Sequence, residues 1–136
     1  MWLLDTNILS ELRKGPRCDQ GVEAWRRSVD PTSAYLSVIV IGEIRRGIES
    51  KRRRDSVSAE ALGRWLDRLG TAYGDRILPI DLNIAEAWGR LNVPDPMPAV
   101  DGLLAATALV HDLTLVTRNI SDVRRTGVRC LNPFHG

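Results

Sequence analysis

A three-layer α/β domain with a mostly parallel central sheet is the fold this sequence predicts, and three observations predict it. Short apolar runs alternate with stretches of helical periodicity along the whole chain. The first run, Trp2 to Leu4, is too brief for a helix and ends at once in Asp5, as a buried strand opening onto a polar loop does. A length of 136 residues, 43% hydrophobic and 26% charged, fits one compact domain spanning 1–136. No repeat, low-complexity tract or second domain is visible, and helix outnumbers strand.

The elements follow in order. After the first strand, Thr6 to Arg13 reads as a short helix capped by Thr6 or Asn7 and stopped by Gly15-Pro16. Asp19 to Val29 is a second helix, with Val22, Trp25 and Val29 on one face, broken by Pro31. Ala34 to Ser37 reads as a strand. Val40, Ile41, Ile44 and Ile48 then recur at helical spacing, giving a helix from Val38 to about Arg52. Ser56 to Ala72 is helical, with a stripe of Leu62, Trp65, Leu66 and Leu69. Ile77 to Ile80 is a strand whose Pro79 must sit at its end or edge. Leu82 to Leu91 is a helix with Ile84, Ala87, Trp88 and Leu91 facing inward. Pro94, Pro96 and Pro98 make a stiff loop, and Ala99 to His111 is a small-residue helix suited to close packing on a sheet. Leu113 to Thr117 and Val128 to Leu131 are the last strands.

Composition bounds the function. A net charge of +2 permits nucleic-acid binding without demanding it. Cys18 and Cys130, the only cysteines, lack the spacing of a metal knuckle and read as free thiols. No secretory leader is recognisable, and the uncharged run Pro31 to Gly42 is too short to span a bilayer, so a cytoplasmic, membrane-free protein is expected. His111 and His135 stand alone and read as surface residues. There is no Walker-type glycine loop and no G-x-S-x-G elbow.

Four acids stand out by position. Asp5 ends the first strand, where α/β sheets place their ligands, though a capping aspartate is equally at home there. Glu43 lies beside an apolar helical stripe; it either pairs with Arg46, three residues on, or meets a cation. Asp101 falls in the first turn of the helix after Pro98, a common place for an acid. Asp122 follows the Leu113 to Thr117 strand by a short loop, where Thr117 and Asn119 can hold it. Asp95, in the proline loop, reads as solvated. Taken singly each acid has a structural explanation. Jointly they point toward one sheet edge, where bare carboxylates would push some pKa values up. A hard divalent cation held by carboxylates and water, Mg²⁺ above all, relieves that repulsion and suits phosphodiester hydrolysis.

The same residues carry a family resemblance. Leu3-Leu4-Asp5-Thr6-Asn7-Ile8-Leu9-Ser10-Glu11 resembles the opening motif of PIN-domain ribonucleases. Gly42-Glu43-Ile44-Arg45-Arg46-Gly47-Ile48 resembles the second, Val100-Asp101-Gly102-Leu103-Leu104-Ala105-Ala106-Thr107-Ala108 the third, and Leu115-Val116-Thr117-Arg118-Asn119 with Asp122 the fourth. The motifs span nearly the whole chain, in order, and look most like the FitB-like branch of VapC-type toxins of toxin–antitoxin pairs. Val123 departs from the pattern, which often has an aromatic after the fourth acid. The resemblance implies a PIN-like α/β/α sandwich and an Mg²⁺- or Mn²⁺-dependent endoribonuclease leaving a 5′-phosphate and a 3′-hydroxyl. It implies catalytic and metal-binding roles for Asp5, Glu43, Asp101 and Asp122, with Thr6 and Asn119 in support. It further implies a homodimer, and a small antitoxin with a DNA-binding segment through which alone the pair reaches operator DNA.

Arg118, Arg45 and Arg46 are candidates to meet RNA phosphates, with solvated helix ends as the alternative. Lys51 to Arg54 reads as an exposed linker. Two rival functions were weighed. A haloacid-dehalogenase-type phosphatase also begins with an aspartate after a strand, but needs a second one two residues on, where this chain has Asn7. A non-catalytic PIN-like module that binds RNA or a protein remains the main alternative, and retention of all four acids weighs against it.

Overall fold

The computed structural model describes residues 1–135; Gly136, which the expected domain includes, lies outside the described residues. Among the described residues five strands form one sheet: β1 (Trp2–Leu4), β2 (Ala34–Ser37), β3 (Ile77–Leu78), β4 (Thr114–Val116) and β5 (Cys130–Leu131). Their order is β3-β2-β1-β4-β5, and every neighbouring pair is parallel. The chain winds outward from β1 to β3 on one side, then returns to lay β4 against the other side of β1. The crossing lies between β1 and β4, so the loops after these two strands face the crevice where doubly wound sheets bind ligands. In the register, Leu3 lies opposite Tyr35 and Leu115, and Leu4 opposite Val116.

Successive strand residues point to opposite faces of a sheet. Leu3 and Leu4 are 0% and 1% exposed, and Leu115 and Val116 are 1% and 0%. Both faces of the central strands are therefore covered, as an all-parallel sheet requires. The cover is α1 (Thr6–Leu12), α2 (Gln20–Ser28), α3 (Val38–Arg52), α4 (Ser56–Tyr73), α5 (Leu82–Leu91), α6 (Ala99–His111) and the single turn α7 (Ile120–Val123). Burying each large aliphatic of the centre contributes about 1.5–3 kcal/mol. The helix α6 gets close through small residues: Ala105, Ala106 and Ala108 are buried.

Several expected boundaries shift for identifiable reasons. The cap of α1 is neither Thr6 nor Asn7 but Asp5, whose carboxylate accepts the Thr6 amide hydrogen. The expected strand over Leu113 to Thr117 shrinks to Thr114–Val116; at its start Asp112 turns the chain at φ 54° and the Leu113 N–H closes the end of α6 on the Ala108 carbonyl instead of joining the sheet. Pro79, lacking an amide hydrogen, ends β3 after Leu78. The last strand shrinks to Cys130–Leu131, with Val128 contributing to the core ahead of it. Trp88 does not face inward as its periodicity suggests. It is 36% exposed and lies over Gly102, where an added Cβ would stand 3.1 Å from the indole.

Candidate active site

Asp5 is the hinge of the site. Its backbone N–H extends the β1–β4 ladder by donating to the Val116 carbonyl at 3.0 Å, which carries its side chain over the crevice between the two strands. The carboxylate is 8% exposed and fully engaged. Oδ1 accepts the Thr6 N–H at 2.7 Å, and Oδ2 accepts the Thr117 hydroxyl at 2.7 Å and the Asn7 side-chain amide at 3.4 Å. Thr117 is in turn fixed by accepting the Asn119 N–H at 3.1 Å. Two polar runs at the ends of adjacent strands, Asp5-Thr6-Asn7 and Thr117-Arg118-Asn119, are thus stitched together. A second stitch joins the Arg118 N–H to the side-chain Oδ1 of Asn7 at 3.2 Å.

Glu43 reaches the site from α3. The Thr6 hydroxyl donates to its Oε1 at 2.7 Å, across a sequence separation of 37 residues. The alternative partner Arg46 forms no ion pair with it; Arg45 pairs with Glu49 instead, at 3.3 Å. Asp101 stands in the first turn of α6, half-buried, with no hydrogen bond to its carboxyl among the described residues. Burial first, then the charges of Asp5, Asp122 and Glu43, push its pKa upward. That places all three other acids within electrostatic reach of Asp101. Asp122 lies in the first turn of α7 and is exposed. Asn119 occupies the cap position of α7 without a side-chain capping bond.

Two expectations need correction. Thr117 does not hold Asp122; its hydroxyl is spent on Asp5. And although the four acids share one edge, no three of the His, Cys, Asp and Glu side chains described are gathered into a ready cation cage. Asn7 and Thr117 are the site residues that sequence reasoning undervalued. The signal was present, in that Asn7 lies three positions beyond β1 and Thr117 one position beyond β4.

Among the described residues none of the ion pairs involves Asp5, Glu43, Asp101 or Asp122. No arginine of the chain plugs the site. Arg118, four residues before Asp122, is turned onto the ring of Phe134, with its guanidinium carbon 4.5 Å from the ring centre. An oxygen-only donor set carrying uncompensated negative charge fits a hard divalent cation such as Mg²⁺ or Mn²⁺ and offers nothing to a soft metal. His111 and His135 are exposed, and Cys18 and Cys130 are free thiols. Among the described residues no helix is long and apolar enough to cross a membrane.

A crevice at the switch point of a parallel sheet, ringed by unpaired carboxylates, defines a class, and comparison with known proteins agrees. The PIN-domain model matches residues 2–127, and the chain belongs to the PIN-domain family. Within it the likeness is to particular toxins. The chain is 32% identical over 142 residues to Toxin FitB of Neisseria gonorrhoeae, covering 99% of both chains. It is 31% identical over 142 residues to VapC ribonuclease Y4jK of Sinorhizobium fredii, covering 98% of both. Its structure superposes on the crystal structure of FitAcB from Neisseria gonorrhoeae with a TM-score of 0.88, at 31% identity and full coverage of both chains. A structure of FitAB bound to an IR36 DNA fragment matches with a TM-score of 0.86, at 30% identity, over 100% of this chain and 97% of that one.

Proposed function

We propose that the chain is an Mg²⁺- or Mn²⁺-dependent endoribonuclease, the toxin of a toxin–antitoxin pair. One observation carries the reading: burial first, and the charges of three other acids after it, push the Asp101 carboxyl upward, and no basic side chain forms an ion pair with any of the four among the described residues. Such a site is electrostatically incomplete until a cation enters it. The ribonuclease named among its relatives supplies the reaction class.

When bound, the divalent ion lowers the pKa of a water molecule and neutralises charge on the phosphate oxygens. Asp5, Glu43 and Asp101 would hold it. Asp5 is pre-aimed by Thr117, Asn7 and the Thr6 amide, and Glu43 by the Thr6 hydroxyl, so neither pays rotamer entropy on binding. Asp122, exposed on α7, orients the attacking water or holds a second ion, with Asn119 beside it. Arg118, Arg45 and Arg46 meet phosphates of the RNA. Single-stranded segments are the substrate class, because A-form duplex hides its bases.

The relatives seen as FitAB on DNA support a small antitoxin as partner and operator DNA reached through it. A single domain, a homodimer and a cytoplasmic setting complete the reading. Purified chain freed of any partner, incubated with RNA and Mn²⁺, should cleave it, and EDTA or Asp5→Asn should stop cleavage. RNA binding with no metal-dependent product would instead make this a non-catalytic PIN-like module.

A further inference from the structure

The tail after β5 has no role so far. The Thr117 N–H donates to the Leu131 carbonyl at 2.9 Å, so the end of β5 lies directly beside the residue whose hydroxyl fixes Asp5. Asn132, Pro133, Phe134 and His135 then leave the sheet and run onto the first turn of α2. The Asn132 side chain accepts the Phe134 N–H at 3.0 Å. Asp19 Oδ2 accepts the His135 N–H at 2.9 Å, and the same oxygen caps α2 by accepting the Gly21 and Val22 N–H groups at 2.9 and 3.0 Å. Gly21 allows so close an approach: a Cβ there would stand 2.2 Å from the Pro133 carbonyl oxygen and 2.8 Å from the His135 nitrogen. The tail is thus held at both ends, and the half-buried Phe134 packs against the core.

Arg118 is fixed at its backbone and, through that ring, at its tip. Its N–H donates to Asn7 Oδ1, and its neighbour Thr117 bonds both Asp5 and the Asn119 N–H. An exposed arginine in the loop that carries Asp122, beside uncompensated acids, would ordinarily pair with one of them. Among the described residues its guanidinium is in no ion pair and no hydrogen bond. Its carbon lies 4.5 Å from the Phe134 ring centre instead.

The choice of holder matters. A carboxylate grips arginine by its N–H fork and occupies those donors. An aromatic face attracts the cation by its charge and leaves the N–H groups at the guanidinium edge unoccupied. Phe134 therefore keeps Arg118 off the acids while its donors stay available to an anion from outside.

We propose that Phe134 is a positioning residue: the tail holds the Arg118 guanidinium at the rim of the acid cluster, with its donors free, for a phosphate of the bound RNA. The assignment rests on the endoribonuclease reading for the identity of that phosphate. Phe134 itself acts only through Arg118.

A fluorescent single-stranded oligoribonucleotide is titrated in EDTA against the wild type, Arg118→Gln, Phe134→Leu, Phe134→Trp and the double variant Arg118→Gln/Phe134→Leu. Leucine keeps apolar packing and removes the aromatic face; tryptophan keeps the face. Arg118→Gln should lose about tenfold in affinity, and its slope of log affinity against log salt should flatten by about one. Phe134→Leu should lose about two- to fivefold, an exposed cation–π contact expressed as an affinity ratio, and Phe134→Trp should bind as the wild type does. In the double variant Phe134→Leu should add nothing to Arg118→Gln, because a residue acting through another is silent once the other is gone. With Mn²⁺ the same pattern should appear in KM rather than kcat. Wild-type affinity and KM in Phe134→Leu would overturn the assignment and leave the nuclease reading intact. So would an equal Phe134→Leu loss with and without Arg118, which would mean a ring acting on its own. Coupled losses of binding in a protein that never cleaves would uphold the assignment and sink the nuclease. A wild type that neither binds nor cleaves RNA would sink both.

Discussion

Glu23 and Asp101 both stand in the first turn of a helix, and their carboxyls shift in opposite directions. Each is the acid of a first turn, Glu23 in α2 and Asp101 in α6, where the helix N-terminus favours negative charge. Glu23 lies on a solvated face between two arginines. Hydrogen bonds from Arg26 first, and Arg27 after it, hold its carboxyl down at about 2. Asp101 is half-buried, and burial first, then the charges of Asp5, Asp122 and Glu43, raise its pKa. Helix position alone therefore decides neither value. An acid answered by its own chain is part of the scaffold; an acid answered only by other acids is waiting for a cation from outside.

The strongest way to break that contrast is to remove the two charges. Asp101→Asn and Asp5→Asn should each cut metal-dependent RNA cleavage by more than the roughly 10–100-fold that loss of an outer-shell partner costs. Glu23→Gln should leave cleavage untouched. A product time course with a labelled oligoribonucleotide checks all three, and an active Asp101→Asn would place Asp101 among ordinary first-turn acids. The glycines beside the two acids extend the comparison to packing. A Cβ at Gly21 would stand 2.2 Å from the Pro133 carbonyl oxygen, backbone that cannot give way without moving the tail. A Cβ at Gly102 would meet only the side chain of a partly exposed Trp88 at 3.1 Å. Gly21→Ala should destabilise by about 1–3 kcal/mol, and Gly102→Ala by clearly less because the indole can swing and helical alanine is favoured. Thermal melts of the two variants decide it; equal losses would mean Trp88 is as fixed as the tail.

Removing one of four repelling charges should also show in stability. In EDTA, Asp101→Asn should melt a few degrees above the wild type, since the raised carboxyl makes ionisation unfavourable in the folded state. Added Mn²⁺ should raise the wild type's melting point and leave the variant's nearly unmoved. Asp5→Asn is the less clean experiment, because Asp5 caps α1 and accepts from Thr117, contacts an asparagine only partly replaces. An apo melting point that does not rise in Asp101→Asn would dissolve the contrast between the two acids.

How far the sequence reached follows from what each feature depends on. The helices Val38–Arg52, Leu82–Leu91 and Ala99–His111 were legible in extent, because periodicity and flanking stops mark their ends, although Trp88 shows that a stripe does not by itself fix what is buried. Short strands were legible in place but not in length. Whether Leu113 joins α6 or β4 depends on a hydrogen bond to Ala108, which no pattern encodes. The sheet-edge placement of Asp5 and the opening of α6 at Asp101 were readable because a strand end and a proline stop fix them locally. The partners of the site were not. That Thr117 serves Asp5 rather than Asp122, and Thr6 serves Glu43, depends on β4 lying beside β1 and α3 crossing α1. Those adjacencies join residues 112 and 37 positions apart. Arg118 shows the same limit: its Phe134 platform comes from a tail tied down by the His135 N–H on Asp19 and by its close approach to Gly21.

The smallest expected effect tests the other half of the contrast, the acid already answered. Glu23 has a folded-state pKa of about 2 against an ordinary 4.5, so between those values the unfolded chain binds more protons than the folded one. Stability from this group is then complete above pH 4.5 and is lost as pH falls through about 2. The wild type should lose melting temperature faster than Glu23→Gln across that interval, and 1 M salt should narrow the difference, because an exposed pair is screened within about 3 Å there. The pairs sit on side chains 53% and 76% exposed for Arg26 and Arg27, so solvent already weakens them at ordinary ionic strength. If the two melting curves run parallel, the arginines hold Glu23's charge without stabilising the fold. The opposite shifts at Glu23 and Asp101 would then report only local charge at Glu23, and the case for Asp101 would rest on its own melting experiment and on cleavage.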